Sequence, residues 1–374
     1  MNVEKINIYP KRLRILVAPL DWGLGHATRC IPIIHTLLKN NADVLLAATG
    51  NLRILLQTEF PQLRILDLEG YNITYARQGK FFFYKLIIQL PKVFSAIRKE
   101  GKWLENIVRE ERVDAVISDN RPGLHHSRIP CVYLTHQLQI QTGKQVTDRW
   151  LRKLHYAFID KFQQCWIPDN EKGLMLAGKL SHPISVPKTK YKYIGLLSRF
   201  QRKDLTKVYD FLLLISGPEP QRGILETKLL QAFENSGYSF ALVRGLPSKS
   251  GSVALKTSAS IVFDHLNAND LNDMVLQSNT IISRAGYSTI MDLAKLKKKA
   301  VLIPTPGQTE QEYLAEYLNE KKIFASIRQE AISLSNIEQA ANKDGFNVPE
   351  YEGQVYEQVI EEWLSSIHYS KAVI

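Results

Sequence analysis

The chain has 374 residues, of which 45% are hydrophobic and 23% charged. This composition excludes disordered, collagen-like and coiled-coil proteins, and no apolar stretch reaches the ~18 residues of a membrane-spanning helix. Residues 1–200 hold 30 Lys and Arg against 16 Asp and Glu, a net charge of +14, while residues 201–374 hold 18 against 21, a net charge of −3. The first half therefore either faces an anionic partner or carries a basic, solvated surface.

Cysteine usage and the first residues bear on location. The three cysteines, Cys30, Cys131 and Cys165, form no C-x-x-C pair, which predicts reduced thiols and argues against a disulfide framework or a zinc site. Residues 1–10 lack the basic and apolar regions of a secretory signal. We therefore expect a cytoplasmic protein.

In chain order, the first half alternates short apolar runs with amphipathic segments. The apolar runs predict strands at residues 14–18, 44–48, 63–68, 113–118 and 131–135. Apolar residues at helical spacing predict helices at residues 27–39, 52–57 and 83–109. Strands that are apolar throughout and alternate with helices are typical of a parallel sheet covered on both faces.

The pattern starts again after a polar stretch rich in Lys and Pro at residues 179–192. Strands are predicted at residues 211–216, 239–244, 260–263, 280–283 and 300–304, and helices at 223–234, 269–277, from 288, and at 310–319. Residues 351–366 form an amphipathic helix that must cover a surface. The sequence thus predicts an α/β fold of two tandem Rossmann-like parallel-sheet domains, residues 1–192 and 193–350, followed by a C-terminal segment, residues 351–374.

The most informative motif in the second half is a predicted strand that is followed by a turn at Gly286 and the start of a new helix. Unpaired N–H groups and the positive end of the helix dipole make such a turn an anion site, for which a diphosphate is the natural ligand. Asp292, one turn into this helix, is placed to accept both hydroxyls of a ribose. The alternative is a local capping box formed by Thr289 and Asp292.

A second polar cluster follows the next predicted strand. Its members suit hydrogen bonding to sugar hydroxyls at the carboxyl end of a parallel sheet, and they are Gln308, Glu310, Gln311 and Glu312. The alternative for at least two of them is a solvated helix start.

Residues 283–292, the run 303–307 and the pair Glu310 and Gln311 resemble the C-terminal, nucleotide-sugar half of glycosyltransferase family 28. The resemblance implies a GT-B fold, in which two domains face a cleft and the last helix returns to the first domain. It also implies a UDP-sugar donor, a hexose or N-acetylhexosamine as the transferred sugar, inversion at the anomeric carbon, and an acceptor on the first domain that is lipid-linked or otherwise anionic.

By position, the resemblance assigns residues 283–286 to the diphosphate, Asp292 to the ribose, Gln311 to the donor sugar and residues 263–266 to the uracil edge. The family commonly has Glu at the position of Asp292 and Gln at that of Glu312. The predicted donor site therefore contains Arg199, Ser216, Gly217, Phe263, His265, Leu266, Ser283, Arg284, Ala285, Gly286, Ser288, Thr289, Asp292, Gln308 and Gln311.

Polar residues also follow three strands of the first half. Gly23 and Gly25 begin a Rossmann-like loop, but Thr28 replaces its third glycine, so a nicotinamide cofactor is disfavoured. His26 in this loop is a candidate general base or phosphate ligand, or else a simple helix cap. After the later strands, Asp119 is a second candidate base, and the other cleft candidates are Asn120 and His136; ordinary turn chemistry is the alternative for each.

Residues 80–99 combine aromatic, aliphatic and basic side chains. Such a segment suits peripheral contact with the inner face of an anionic cell membrane. The alternative is a core helix whose solvent-facing side is basic. The sequence contains no D-x-D motif, so we expect catalysis without a metal and without a cofactor other than the UDP-sugar substrate. The alternatives are a UDP-sugar hydrolase or epimerase and a non-catalytic nucleotide-sugar-binding protein; no motif supports nucleic-acid binding.

Overall fold

A computed structural model describes residues 12–71, 82–140, 145–249, 253–256, 260–350 and 355–372, and it contains two seven-stranded sheets. The first sheet has the order β3-β2-β1-β4-β5-β6-β7 and is parallel throughout. Its strands are β1 (Arg14–Pro19), β2 (Asp43–Ala47), β3 (Ile65–Leu66), β4 (Ala115–Asp119), β5 (Cys131–Leu134), β6 (Gln164–Ile167) and β7 (Tyr191–Tyr193). Its helices are α1 (Leu24–Lys39), α2 (Gly50–Glu59), α3 (Phe82–Glu110) and α4 (Gln145–Ile159).

The second sheet has the order β10-β11-β9-β8-β12-β13-β14, and only its edge strand β10 is antiparallel. Its strands are β8 (Tyr209–Leu214), β9 (Phe240–Val243), β10 (Val253–Lys256), β11 (Ser260–Phe263), β12 (Ser278–Ser283), β13 (Lys299–Leu302) and β14 (Ala325–Ser326). Its helices are α5 (Gln221–Phe233), α6 (Ala268–Gln277), α7 (Tyr287–Lys295), α8 (Thr309–Glu320) and α9 (Leu334–Ala341), and the chain ends in α10 (Val355–Ala372).

Both sheets place their first strand in the middle, so each has a point where the strand order reverses. In the first sheet β1 lies between β2 and β4, and in the second β8 lies between β9 and β12. Ligands of open parallel sheets bind beyond the carboxyl ends of the strands at such switch points. The fold therefore marks two places, one per sheet, where a site is expected.

Helix α10 returns to the first sheet and packs on it. Trp363 meets Trp166 of β6 edge-on, with ring centroids 5.3 Å apart, and Lys39 at the end of α1 pairs with Glu357 at 3.1 Å. Ile360 and Leu364 on the same helix are buried. This is the returning helix of a GT-B fold.

Tyrosines of the second sheet's helices hold the two sheets together. The Tyr287 hydroxyl donates to the Pro168 carbonyl oxygen at 2.7 Å, and the Tyr317 hydroxyl donates to that of Met175 at 2.8 Å. The backbone N–H of Lys179 donates to the Tyr313 hydroxyl at 2.8 Å. These contacts set the spacing of the two switch points.

The predicted elements are found with shifts at their ends, but the sequence analysis did not predict α4, α9, β6, β7, β10 or β14. The C-terminal helix, predicted at residues 351–366, extends to Ala372. The strand predicted at residues 63–68 is shorter in the structure. Only Ile65 and Leu66 form a strand there, because the polar Arg64 and Asp67 flank them at the edge of the sheet. Helix α1 begins at Leu24, before its predicted start at residue 27. Within the described ranges, no helix is both long and apolar enough to cross a bilayer.

The predicted membrane segment, residues 80–99, falls mostly in α3. Its residues 80 and 81, and the side chains of residues 82–90, lie outside what the structure describes.

Candidate active site

The N-termini of α1 and α7 meet where the two switch points face each other. Neither helix has a side-chain cap, since Gly23 and Gly286 occupy the N-cap positions. The Ser288 hydroxyl, in the first turn of α7, donates to the Gly25 carbonyl oxygen at 2.7 Å. A Cβ on Gly25 would lie 3.0 Å from that hydroxyl oxygen, so glycine permits this approach. Two positive helix ends therefore converge on one region.

His26 lies in the first turn of α1, so it is part of the helix and not of the preceding loop. Its Nδ1 is 3.0 Å from Oδ2 of Asp119, the last residue of β4. The His26 side chain is 18% exposed, whereas Asp119 is fully buried. Asp119 therefore lies behind His26, and its carboxylate is less accessible to a ligand than the imidazole is.

Arg29, one helical turn after His26, binds both oxygens of this carboxylate. Its Nε donates to Asp119 Oδ2 at 2.9 Å, and its Nη2 donates to Oδ1. Burial alone raises the pKa of Asp119, but Arg29 and His26 lower it more, to about 2. Asp119 is therefore an ionised hydrogen-bond acceptor at any ordinary pH.

Burial lowers the pKa of His26, and the charge of Arg29 lowers it further, while Asp119 acts in the opposite direction. The imidazole is thus neutral at pH 7. When Nδ1 carries the proton and donates it to Asp119, Nε2 keeps a lone pair, and Nε2 has no hydrogen-bond partner among the described residues.

His136, after β5, continues the chain of contacts into the second domain. Its Nδ1 accepts from Nη1 of Arg29 at 2.9 Å, and its Nε2 is 2.8 Å from Oε1 of Glu310. Its ring stacks on Tyr287 with centroids 4.3 Å apart. Asn120 lies near it, in the turn after β4 with φ of 54°, and its N–H donates to the Leu134 carbonyl oxygen.

The second switch point has two glycines with free space around them. Gly217 follows β8 with φ of 104°, and neither it nor Gly286 has any atom within 4 Å of a hypothetical Cβ. Ser216 beside it is partly exposed, while Ser283 at the end of β12 and Ala285 are buried, and Thr289 is half-buried in the first turn of α7. A ligand can therefore approach the backbone closely at this point.

Arg284, assigned above to the diphosphate, is held by the protein itself. Its guanidinium donates to the Gln221 carbonyl oxygen at 2.7 Å, to Oε1 of Gln329 at 2.6 Å and to the Pro304 carbonyl oxygen at 3.2 Å. Burial lowers its pKa to about 10. In this arrangement the arginine braces three loops, and its terminal nitrogens do not point a free donor at a phosphate.

Arg199, like Arg284 at its Nε, has buried guanidinium nitrogens without a hydrogen-bond partner among the described residues. Its side chain is 9% exposed, and its Nε and Nη1 are buried without a hydrogen-bond partner in the described structure. Its Nε lies 3.7 Å from Asp292 Oδ2, beyond hydrogen-bond distance. Burial lowers the pKa of the neighbouring His265 to about 4, and Arg199 contributes to this. A buried guanidinium with unused donors is suited to an anion.

Asp292 is buried beside Arg199 and accepts a hydrogen bond from the Ser198 hydroxyl at 2.7 Å. Burial raises its pKa to about 6, although Arg199 and Ser198 act in the opposite direction. The carboxylate predicted to bind a ribose thus already has one hydrogen-bond partner in the protein.

The polar residues at the start of α8 stabilise the preceding loop. Gln311 accepts the Thr305 N–H at 2.9 Å, and Glu312 accepts the Gly307 N–H at 2.7 Å. Gln308 is the N-cap residue, without a side-chain cap. Phe263 and Leu266, assigned to the uracil edge, are partly buried against the core.

Comparisons with known proteins agree with this architecture. Residues 251–352 match the glycosyltransferase family 28 C-terminal domain. Over 334 residues, the chain is 22% identical to an uncharacterized glycosyltransferase of Methanosarcina acetivorans, with 83% of this chain and 84% of that protein covered.

Solved structures with the same fold include two that cover nearly the whole chain. UGT89C1 of Arabidopsis thaliana, complexed with quercetin, has a TM-score of 0.64 at 11% identity and covers 96% of this chain and 100% of that one. LpCGTa in complex with UDP has a TM-score of 0.60 at 11% identity, with coverages of 96% and 99%. The chain is a GT-B glycosyltransferase similar to family 28.

The first domain of this glycosyltransferase also contains a cavity of about 520 Å³ between the loop after β3 and helix α3. Tyr71 in its wall packs edge-on against Trp22 of the loop that leads to His26, with centroids 6.0 Å apart. Lys92, Lys99 and Trp103 of α3 line the opposite side. The cavity thus adjoins the loop that precedes the candidate base.

Three residues of the site were not found by reading the sequence. Arg29 could have been found, because it follows His26 by one helical turn and so lies on the same face of α1. Tyr287 and Ser198 gave no such signal, since their contacts with His136 and Asp292 join elements that lie far apart in the sequence.

Proposed function

We propose that this glycosyltransferase transfers a hexose or N-acetylhexosamine from a UDP-sugar to a hydroxyl group of an acceptor on the first domain. One observation carries the proposal: the uncapped N-termini of α1 and α7 converge beside the His26 and Asp119 pair. Helix N-termini favour a diphosphate, and a neutral histidine backed by a carboxylate favours proton transfer.

The donor assignment rests on the second switch point. Gly217 and Gly286 allow close backbone approach, and Arg199 has unused donors. Structural neighbours were solved with UDP and with UDP-L-rhamnose, which supports a uridine nucleotide as the donor here. Asp292 is the residue for the ribose hydroxyls, once a ligand competes with Ser198 for its carboxylate.

In the proposed mechanism, His26 Nε2 accepts the proton of the acceptor hydroxyl while Nδ1 donates to Asp119. The acceptor oxygen forms a bond to the anomeric carbon as the bond from that carbon to the UDP oxygen breaks. The leaving UDP takes the electron pair, and the N-terminus of α7 with Arg199 stabilises its charge. Attack opposite to UDP inverts the anomeric carbon, and no step needs a metal ion.

We further propose that the acceptor occupies the cavity beside α3 and comes from an anionic membrane surface. On the neighbouring helix α4, Trp150 is 54% exposed, and Ile184 in the adjacent loop is fully exposed. The Tyr156 hydroxyl of α4 donates to the Ser185 carbonyl oxygen at 2.6 Å, which joins this loop to the helix. Exposed apolar side chains beside basic residues suit the membrane interface.

The test of the donor site is thermal unfolding of the wild type and of Asp292→Ala with UDP, UDP-N-acetylglucosamine, UDP-glucose, GDP-mannose, NAD and a DNA duplex. A ligand at about 100 times its Kd adds ~2.7 kcal/mol of stability if it binds only the folded state. We expect UDP compounds alone to raise the Tm of the wild type, and the variant to lose the effect.

Stabilisation by NAD or DNA but not by UDP compounds would contradict the proposal. A UDP-sugar that binds but yields only free sugar and UDP with every acceptor would indicate a hydrolase instead. Binding without any turnover would indicate a non-catalytic protein.

A further inference from the structure

Glu59 is the last residue of α2 in the first domain, but its carboxylate binds a helix of the second domain. Its Oε1 accepts the backbone N–H of Ala268 at 2.7 Å, and Ala268 is the first residue of α6. Helix α2 also lies against the turn at Pro247–Lys249 of the second domain. One carboxylate thus joins the end of one helix to the start of another across the two domains.

The position of Glu59 in α2 is unfavourable for that helix. The C-terminal end of a helix carries a partial negative charge, so an acidic side chain there is disfavoured, and the last turn of α2 has no basic residue. The N-terminal end of α6 carries a partial positive charge and N–H groups without acceptors in the helix. The carboxylate of Glu59 is therefore explained by α6 and not by α2.

The other N–H groups at the start of α6 are bound within the second domain. The side chain of the N-cap residue Asn267 accepts the N–H of Asp270 at 2.9 Å, and the carbonyl oxygen of Asn267 accepts that of Leu271 at 3.0 Å. Ala268 is buried, and a buried N–H without an acceptor is costly. Glu59 supplies the acceptor that α6 itself does not.

A second contact between the domains lies on the other side of the cleft, where the N–H of Lys179 donates to the Tyr313 hydroxyl at 2.8 Å. Lys179 follows β6 and Tyr313 lies in α8 after β13, whereas α2 follows β2 and α6 follows β11. The strands β2 and β6 lie on opposite sides of β1, and β11 and β13 lie on opposite sides of β8. The two contacts therefore flank the point where the N-termini of α1 and α7 meet, and both break if the domains part.

We propose that Glu59 is an interdomain latch, a positioning residue that holds the two domains together through the N–H of Ala268. In the closed arrangement the carboxylate stabilises the start of α6, and in an open arrangement water replaces this contact. Removing the carboxylate therefore shifts the equilibrium toward the open arrangement. The consequence for catalysis rests on the proposed function, in which a diphosphate between the N-termini of α1 and α7 needs both domains.

Hydrogen exchange of backbone amides, followed by mass spectrometry, tests the latch without a substrate. In Glu59→Ala we expect exchange at Ala268 and also at Lys179 to be about tenfold faster than in the wild type, because a hydrogen bond to a charged group shifts such an equilibrium by at least this factor. Exchange in the central strand β1 should not change, since each domain stays folded. Glu59→Gln retains an acceptor oxygen and should restore most of the protection at both amides.

The matched control is Glu110→Ala, which changes an exposed glutamate that ends α3 as Glu59 ends α2. It should leave both amides at the wild-type rates. Faster exchange at Ala268 alone would show that Glu59 only caps α6 and would overturn the latch. Unchanged exchange at both amides in Glu59→Ala would overturn it as well, since the contact would then contribute nothing to closure.

Uridine and UDP test the link between the latch and donor binding. Both contain the nucleoside assigned to the second domain, but only UDP has the diphosphate assigned to the two helix N-termini. UDP should therefore slow exchange at Lys179 in Glu59→Ala, and uridine should not. UDP that raises the Tm of the wild type without slowing this exchange would overturn the link. If UDP does not stabilise the wild type at all, the proposed function fails, and the comparison of Glu59→Ala with the wild type still decides the latch.

Discussion

The two switch points have the same strand order, but buried side chains fill one and glycines leave the other open. At the first, between β1 and β4, the side chains of His26, Arg29 and Asp119 bind one another in a buried chain. At the second, between β8 and β12, Gly217 and Gly286 face open space, and Arg199 keeps unused donors. One switch point is thus filled by a buried network of hydrogen bonds, and the backbone of the other is open to close approach.

The comparison predicts that changes at the first switch point abolish turnover without abolishing donor binding. His26→Ala removes the only imidazole with a free Nε2 in this chain of contacts, so transfer should fall ~10²–10⁴-fold, the usual contribution of general base catalysis. Stabilisation by UDP should persist. The initial rate of sugar transfer and the rise in Tm on adding UDP are measured for each variant. The control is His125→Ala, which changes a half-buried histidine elsewhere in the first domain. Equal losses of transfer rate in the two variants would contradict the assignment of His26.

Asp119→Asn should cost stability as well as activity. The variant leaves the buried Arg29 without its anion, and breaking such a pair costs ~3–5 kcal/mol, which urea unfolding at pH 7 would measure. The pKa of Asp119 is lower in the folded protein than in the unfolded chain, at about 2 against 3.8. Its stabilisation is therefore complete above pH 4 and is lost as the pH falls toward 2. A variant as stable as the wild type would show that the ion pair contributes nothing.

Arg199→Met should lower UDP affinity more than stability. Nε and Nη1 of Arg199 have no hydrogen-bond partner in the described structure, so the loss of the guanidinium breaks no hydrogen bond of theirs. The loss does remove the cation beside the buried Asp292, whose pKa of about 6 lets it take up a proton, so the Tm should fall less than in Asp119→Asn. Charge-assisted hydrogen bonds contribute ~1.5–3 kcal/mol, so UDP affinity measured by calorimetry should fall about 10- to 100-fold. The control is Arg202→Met, which removes an exposed pair with Glu350 and a hydrogen bond to the Lys295 carbonyl oxygen, and it should bind UDP normally.

The smallest effect concerns pH. A base loses function as it takes a proton, so kcat/KM should fall as the pH drops through the His26 pKa. Burial places this pKa below the usual 6.5, and the acid limb should therefore lie below pH 6.5. The control is Glu316→Ala, a change at an exposed position of α8, and it should leave the acid limb of the pH profile unchanged. An acid limb above 6.5 would show that another group sets the rate.

The fold could be predicted well from the sequence, because apolar runs such as residues 211–216 and 280–283 leave few alternatives to buried parallel strands. His26 and Asp119 were found by their positions after strands β1 and β4, since the switch-point rule depends on chain order alone. The direction in which each side chain points could not be predicted. Arg284 and Asp119 were placed at the correct strand ends, but their side chains point to protein partners, and only tertiary packing decides this.

The return of α10 has a mechanical consequence. The chain leaves the first sheet after Tyr193 and returns to it in α10, which begins at Val355. The exit and the return lie side by side, since a Cβ on Gly195 would lie 3.4 Å from the Val355 Cβ. If the domains move relative to each other, we expect two such neighbouring connections to favour rotation about one axis. That rotation would part the helix N-termini that meet at Ser288 and Gly25 and bring them back to the same contact.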